Sequence, residues 1–253
     1  MTVIYKTDKG KVRLQNEDSG GVFLNENGKV LAVIADGMGG HNAGEVASGI
    51  AVNTLEELWS EEKKTLTPEQ AENWFLTNVS EVNEKIFKHA QENKECEGMG
   101  TTIVAAICTE LFATIVNIGD SRCYILNETG FKQLTEDHSL INELIKTGHI
   151  SREEAELHPR KNVLMKALGT EQIIDMDITT ITFEEGDKIL LCSDGLSNKV
   201  SNTEIENILK DVNPLAKKAE LLIDIANQNG GEDNISLAII EYDSCIESRC
   251  EEC

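Results

Sequence analysis

Apolar residues recur along this chain with two different periods, and each period predicts one kind of element. Runs that are apolar at successive positions, such as Leu-Ala-Val-Ile-Ala and Ile-Leu-Leu-Cys, are typical of strands in sheets covered on both faces. Stretches with apolar residues every three or four positions predict helices instead. The predicted strands are a hairpin over 20–35 and the segments 101–109, 112–118, 122–126, 175–183, 187–193 and 235–242. The predicted helices cover 43–61, 68–93, 203–210, 214–229 and, as two short helices split at a glycine, 139–158.

The order of these elements predicts an α+β fold with two packed antiparallel sheets and helices outside them. Short turns join the strand groups, whereas the long helices come in pairs. Only three prolines occur and no linker-like stretch separates the parts, so we expect one domain over residues 1–243. Residues 244–253 form an acidic tail that contains Cys245, Cys250 and Cys253.

Four aspartates stand beside the apolar runs, and they suggest the chemistry. Asp36, Asp120 and Asp194 each end a strand-like segment, and Asp233 precedes one. Strand pairing would therefore bring together carboxylates that are far apart in sequence. Unpaired buried anions each cost several kcal/mol, so such a cluster either takes up protons or binds hard cations through oxygen. The pattern predicts a hydrolytic centre with several metal ions.

The formal charge of −22 limits the kinds of partner that the chain is expected to bind. Nucleic acids and anionic membrane surfaces are bound largely through Lys and Arg, so we expect neither nucleic-acid binding nor membrane insertion. The chain also repels phosphate esters at long range, and a phosphate substrate would require bound cations and a local arginine. The N-terminal residues lack the apolar stretch of a signal peptide, and we expect a cytoplasmic protein.

The seven cysteines suggest no further chemistry of comparable strength. Cys108, Cys123 and Cys192 lie in strand-like segments, where buried free thiols are expected. The C-x4-C-x2-C spacing of the tail could begin a zinc or iron–sulfur site, but a fourth ligand is missing locally. Metal binding by the tail and redox pairing between chains both stay open.

Short motifs in a fixed order resemble the metal-dependent protein phosphatases, the PPM or type 2C family, in its compact bacterial branch. The resemblance extends from about residue 5 to residue 242. Each motif alone is weak, but their common order makes coincidence a poor explanation. The motifs are Arg13-Leu-Gln-Asn-Glu17-Asp18, Asp36-Gly37-Met-Gly-Gly40, Gly98-Met-Gly-Thr-Thr102, Gly119-Asp120-Ser121-Arg122, Leu134-Thr-Glu-Asp137-His138-Ser139, Ala167-Leu-Gly169, Ser193-Asp194-Gly195 and Gly231-Glu-Asp233-Asn234.

The resemblance implies a four-layer helix/sheet/sheet/helix sandwich with two or three Mn²⁺ or Mg²⁺ ions at one end. It also implies hydrolysis of phosphoserine and phosphothreonine in proteins by a water molecule activated between two ions roughly 3.5 to 4 Å apart. No covalent phosphoenzyme is then required. Consistently, none of the cysteines has an arginine six positions later, as the loop of cysteine-dependent phosphatases would require.

The family's ligand roles carry over to matching positions of this chain. Asp36 would bridge two ions, the Gly37 carbonyl would ligate the first, and Asp194 and Asp233 would hold the second. Asp120, together with Asp194, would hold the third ion of the bacterial branch. Hard cations do take carboxylate, carbonyl and water oxygens, which supports these roles independently.

Three further residues would support the reaction by the same resemblance. Glu17 and Asp18 would orient waters on the first ion, and Arg13 would grip the substrate phosphate. The eukaryotic members carry a histidine where this chain has Met38, so the general acid is an open question. His41 is one candidate; a water on a metal ion is the other, with His41 then an ordinary surface residue.

Residues 139–166 correspond to the family's flap, a segment beside the active site that tunes substrate choice. A solvated helix pair with no substrate role is the alternative reading. The expected partners are phosphorylated proteins, among them a membrane-bound serine/threonine kinase that the phosphatase would oppose, and we expect a monomer.

Three other functions compete with this one. A two-metal nuclease or phosphodiesterase uses similar carboxylates, but the charge of −22 and the lack of a basic groove disfavour it. A phosphatase-like module that binds phosphoproteins without turnover should have lost ligands, and here all are present. A partner-switching regulator usually carries sensory domains, for which this chain has no room.

Overall fold

A computed structural model describes residues 1–40, 43–156, 158–160 and 163–243. His41 and the cysteine-containing tail lie outside the described residues. The strands are β1 (Thr2–Asp8), β2 (Asp18–Leu24), β3 (Val30–Met38), β4 (Gly100–Thr101), β5 (Ile103–Cys108), β6 (Phe112–Ile118), β7 (Arg122–Asn127), β8 (Gly130–Gln133), β9 (Asp177–Thr182), β10 (Lys188–Cys192) and β11 (Ile235–Glu241). The helices are α1 (Ala43–Glu61), α2 (Pro68–Glu92), α3 (Leu140–Lys146), α4 (Arg152–Glu156), α5 (Asp194–Ser197), α6 (Asn202–Lys210) and α7 (Leu215–Gln228).

The strands form two antiparallel sheets. One sheet has the order β1-β11-β10-β7-β8, and the other has the order β2-β3-β5-β6-β9 with β4 added beside β3. The first and last described strands pair along their whole length, from Thr2 opposite Glu241 to Asp8 opposite Ile235. The two ends of the domain are therefore held together in one sheet.

The alternating side chains of β3 explain why its sequence is apolar at every position. Val30, Ala32 and Ile34 belong to a core between the two sheets, together with residues of β10 and β11. The intervening residues of β3 pack instead against α1 and α2. A third core joins the other sheet to α6 and α7. The layers are therefore helix, sheet, sheet and helix, and the predicted fold class is confirmed.

Local signals placed most helices where the sequence predicts them. Helix α2 begins at Pro68, and Thr67 and Gln70 make both hydrogen bonds of the capping box. The sequence reading missed β1, β8 and the short helix α5. Strand β1 lies at a sheet edge and most of its side chains are only half-buried, so its pattern lacks the continuous apolar run of the inner strands.

In the part of the chain that the structure describes, no helix combines the length and the apolar character required to cross a bilayer.

Candidate metal centre

The predicted carboxylates come from both sheets and meet at one end of them. Asp18 of β2 lies directly opposite Asp36 of β3 in the strand register. Asp194 is the first residue of α5, immediately after β10, and Asp233 precedes β11. Asp120 lies in the turn between β6 and β7. Residues separated by more than two hundred positions thus share one acidic cluster, as the sequence predicted.

Burial and mutual repulsion both act on these carboxylates. Burial, followed by the negative charges of Asp18 and Asp194, raises the pKa of Asp36 well above its usual value. Burial raises the pKa of Asp18 to about 7, although hydrogen bonds from Ser236 and Ser193 oppose the rise. The Ser193 hydroxyl donates to Asp18 Oδ2 over 2.8 Å.

Asp120 and Asp194 show the same perturbation. Burial, and then the charge of Asp194, raises the pKa of Asp120 to about 7. Burial, and then the charge of Asp233, raises the pKa of Asp194 to about 6. Both side chains line an open cavity and keep some exposure, so cations can reach them from solvent. An ionised cluster of this kind calls for compensating positive charge.

Gly37 occupies a position that admits no side chain. A Cβ atom there would lie 2.1 Å from the Gly44 carbonyl oxygen and 2.6 Å from the Glu17 carbonyl oxygen. The backbone beside Asp36 can therefore approach α1 and the β1–β2 loop closely only because residue 37 is glycine. This close packing fixes the Asp36-Gly37 segment at the edge of the cluster.

Gly195 has the same function on the other side of the cluster. A Cβ atom at this position would lie 1.9 Å from the Asn234 carbonyl oxygen. The start of α5 thus packs directly against the segment entering β11. Asp194 and Asp233 are held side by side as a result.

Arg13 extends from the β1–β2 loop to the cluster. Its Nη2 atom donates to Asp233 Oδ2 over 2.8 Å, and its Nη1 atom lies 3.9 Å from Glu17 Oε2. About half of the side chain is exposed, so the guanidinium stays accessible to a substrate phosphate. The structure thus brings Arg13, Glu17 and Asp233 together.

Asn234 holds this loop in place, a role that the sequence reading did not identify. Its Oδ1 atom accepts a hydrogen bond from the Glu17 amide over 2.8 Å. Its Nδ2 atom donates to the carbonyl oxygens of Lys9 and Gln15 over 2.8 and 2.9 Å. One buried amide side chain thus satisfies three backbone groups on both sides of Arg13. Its place directly after Asp233 in a recognised motif was the available signal.

Arg122 and Asp137 form a second contact that sequence reasoning missed. Arg122 Nε donates to Asp137 Oδ1 over 2.9 Å, and Arg122 Nη2 donates to Asp137 Oδ2 over 2.6 Å. The next residue, His138, accepts from the Gly119 amide at Nδ1 over 3.1 Å and donates its own amide to the Gly119 carbonyl over 2.9 Å. The base of the segment 139–166 is therefore tied to the turn that carries Asp120.

A cavity of about 670 Å³ lies between that segment and the acidic cluster. Ser139, Ile141 and Ala155 line it on one side. The opposite side contains Asp120, Arg122, Asp194, Asn198, Lys199, Glu232 and Asp233. The cavity therefore gives a substrate direct access to the carboxylates.

The donor set suits hard divalent cations. The cluster offers carboxylate and carbonyl oxygens and, among its described members, no thiolate or imidazole, which favours Mg²⁺ or Mn²⁺ over zinc. Within the described ranges, no group of three or more His, Cys, Asp or Glu side chains has an arrangement that could by itself hold a metal ion. The fit to Mg²⁺ or Mn²⁺ therefore rests on the chemistry of these oxygen donors.

Solved structures with the same fold define the class of protein. Serine/threonine phosphatase Stp1 from Staphylococcus aureus matches with a TM-score of 0.88 and 38% identity, covering 94% of this chain and 93% of that one. The catalytic domain of the serine/threonine protein phosphatase PstP, solved in complex with two manganese ions, matches with a TM-score of 0.81 and 33% identity over 94% and 96% of the two chains. Both neighbours are protein phosphatases.

Sequence comparison gives the family. The model described as Protein phosphatase 2C matches residues 9–235. The serine/threonine phosphatase stp of Listeria monocytogenes is 48% identical over 239 residues, which cover 94% of this chain and 95% of that protein. The chain therefore belongs to the protein phosphatase 2C family, and it is a protein serine/threonine phosphatase. The resemblance carried by the motifs is confirmed.

Proposed function

We propose that this protein hydrolyses phosphoserine and phosphothreonine in proteins with two or three bound Mn²⁺ or Mg²⁺ ions and without a phosphoenzyme. The observation that carries the proposal is the acidic cluster of Asp36, Asp194 and Asp233. Arg13 donates to Asp233, and Asp194 and Asp233 line an accessible cavity. The two manganese ions of the PstP structure support the choice of metal.

The residues of the cluster would hold the ions from several sides. Asp36, the Gly37 carbonyl, Asp194 and Asp233 are the proposed ligands of two ions, and Asp120 with Asp194 of a third. Divalent ions held at these positions would lower the pKa of coordinated water and would neutralise charge that develops on a phosphoryl group. The raised pKa values of Asp36 and Asp194 support this assignment, because bound cations would relieve the repulsion between the carboxylates.

Glu17 and Asp18 would act on the same ions through coordinated waters rather than as direct ligands. Asp18 is buried and accepts from the Ser193 hydroxyl, so its carboxylate has a fixed orientation. The backbone of Glu17 is held by Asn234 and by the Gly37 amide, which donates to the Glu17 carbonyl over 3.1 Å. The fixed Asp18 carboxylate and the fixed Glu17 backbone support a role of these two residues in orienting waters.

Arg13 is the proposed phosphate-binding residue. A guanidinium presents paired N–H groups that match two oxygens of a phosphate. In this structure the group bonds to Asp233 and remains half-exposed. It can therefore turn part of its hydrogen-bonding capacity to a substrate without crossing the site.

The proton donor to the leaving serine or threonine oxygen stays open between His41 and a coordinated water. His41 lies outside the described residues, so no distance bears on it. A pH–rate profile of His41→Ala decides between them, because loss of the basic limb would assign the proton to His41.

The physiological setting of the enzyme is a further part of the proposal, which the family membership supports. We propose that it acts as a cytoplasmic monomer on phosphoproteins, including a serine/threonine kinase that it opposes. We also propose that residues 139–166 act as the flap that tunes substrate choice. Ile141 and Ala155 of this segment line the cavity, which supports that role.

Phosphate release from a phosphothreonine peptide tests the proposed function. The metal-stripped protein is assayed with and without Mn²⁺, beside Asp233→Asn and the control Asp224→Asn, which makes the same change on an exposed site of α7. We expect activity only with metal, a loss of several orders of magnitude in Asp233→Asn, and wild-type activity in the control. Thermal stabilisation by Mn²⁺ without turnover would indicate a binding module instead.

A further inference from the structure

The loop between β1 and β2 carries two exposed apolar side chains, one on each side of Arg13. Val12 is 61% exposed and Leu14 is 92% exposed. Single exposed apolar residues are common on protein surfaces, so their exposure alone has no functional meaning. Their position is more informative, because the residue between them reaches the acidic cluster.

The loop is rigid on both sides of this apolar pair. The amides of Lys11 and Val12 both donate to the Gly231 carbonyl, over 2.7 and 3.2 Å. On the other side, the Gln15 carbonyl accepts from Asn234 Nδ2 over 2.9 Å. Both anchors belong to the segment that carries Asp233. A preorganised backbone loses little conformational entropy when a ligand covers it, so exposed side chains on it are efficient binding groups.

The same loop is locally basic in a strongly acidic protein. Lys9, Lys11 and Arg13 fall within five residues that contain no acid, whereas the whole chain has a formal charge of −22. Arg13 pairs with Asp233, so Lys9 and Lys11 supply the further positive charge that attracts an anionic group to this loop. Arg13 would take the phosphate, and Val12 and Leu14 would remain free for the groups beside it.

We propose that Val12 and Leu14 form an apolar subsite that binds the side chains next to the phosphoresidue of a protein substrate. The proposal rests on the proposed function. An extended peptide advances about 3.3 Å per residue. The Cα atoms of residues 12 and 14 of the enzyme lie at most about 7 Å apart, because two residues of chain span no more than this. A peptide whose phosphate binds Arg13 thus places its neighbouring side chains over one or both apolar groups. The subsite selects phosphorylated segments with apolar rather than polar neighbours.

Two peptides and a matched control variant test this subsite. One phosphothreonine peptide carries Leu at both flanking positions, and the other carries Ser at both. Each is assayed with Mn²⁺ on the wild type, on the double variant Val12→Ser/Leu14→Ser and on Leu111→Ser. Leu111 is 77% exposed, but it lies in the β5–β6 turn. This turn is near the Val30 end of β3, whereas Asp36 lies near the other end of that strand. Val30, at that end of β3, and Asp36 are six positions apart along the strand, which separates them by roughly 20 Å.

The readout is the ratio of kcat/KM for the two peptides within each protein, so a general loss of activity cancels. We expect the wild type and Leu111→Ser to prefer the Leu peptide by about tenfold, the effect of partly burying a leucine side chain. The double variant should show a ratio near one. Equal rates on both peptides in the wild type, or an unchanged preference in the double variant, would overturn the subsite alone. Failure of the metal-loaded wild type to hydrolyse either peptide, or p-nitrophenyl phosphate, would overturn the proposed function and the subsite with it.

Discussion

Asn234 gives the sharpest test of how this site is held together. Replacing Asn234 with Ala removes three hydrogen bonds to the backbone of residues 9–17. Asn234 is only 3% exposed, so the Glu17 amide in particular would be left without a partner. A buried hydrogen bond contributes on the order of 1 kcal/mol, and an unsatisfied partner costs about 1 to 3 kcal/mol. Because Lys9 and Gln15 are exposed and can rehydrate, we expect a loss of about 3 kcal/mol in the free energy of unfolding.

Urea denaturation of the metal-stripped protein measures this loss directly. Asn73→Ala is the matched control: Asn73 is exposed on α2 and donates only within its own helix, to the Glu69 carbonyl over 2.8 Å. We expect the control to change stability by less than about 0.5 kcal/mol. Asn234→Asp adds a second comparison, since it keeps the acceptor for the Glu17 amide but loses both donors and brings a further charge to the acidic cluster.

Kinetic constants show whether Asn234 positions Arg13 or only stabilises the fold. At a temperature where Asn234→Ala is fully folded, we expect a raised KM for phosphopeptide and weaker inhibition by inorganic phosphate, because the loop no longer fixes Arg13. The value of kcat should change less than KM. A stability loss below about 0.5 kcal/mol, or an unchanged KM in a variant that is destabilised as expected, would refute the assigned positioning role.

Three further predictions concern the metal centre and the segment beside it. Gly37→Ala should abolish stabilisation by Mn²⁺ in a thermal melt, because its Cβ would lie 2.1 Å from a backbone carbonyl; normal metal-dependent stabilisation would contradict the close approach. Arg122→Lys should lose the paired hydrogen bonds to Asp137. We expect this loss to lower the free energy needed to detach residues 139–166 by about 1 to 3 kcal/mol, measured as faster proteolysis within this segment. Removing the metal should make stability pH-dependent. The folded-state pKa values of Asp18 and Asp120 are raised to about 7, above an unfolded value of about 3.9, so the unfolded state loses its protons first. The metal-free protein should therefore lose stability as pH rises from about 4 to 7, and a melting temperature that rises across this window would contradict the assigned burial.

The sequence by itself determined the layers of the fold and the membership of the cluster. Strand β3 is apolar at successive positions because one face packs between the sheets and the other against helices, and such runs are visible without a structure. The start of α2 is equally local, since Thr67 and Gln70 lie within one turn of each other. Asp36, Asp120, Asp194 and Asp233 were identifiable from short motifs in a fixed order.

The tertiary structure alone decided which groups hold those carboxylates and Arg13 in place. Asn234 bonds to Glu17 across 217 positions of sequence, and Ser193 bonds to Asp18 across 175. No local propensity specifies such pairs, because an asparagine after an aspartate and a serine before one are equally typical of turns. Their partners are set by strand register, which places β11 beside β1 and β10, and by glycines that let the segments meet. Edge strand β1 shows the same limit: its half-buried side chains give a weak pattern, and pairing with β11 is what makes it a strand.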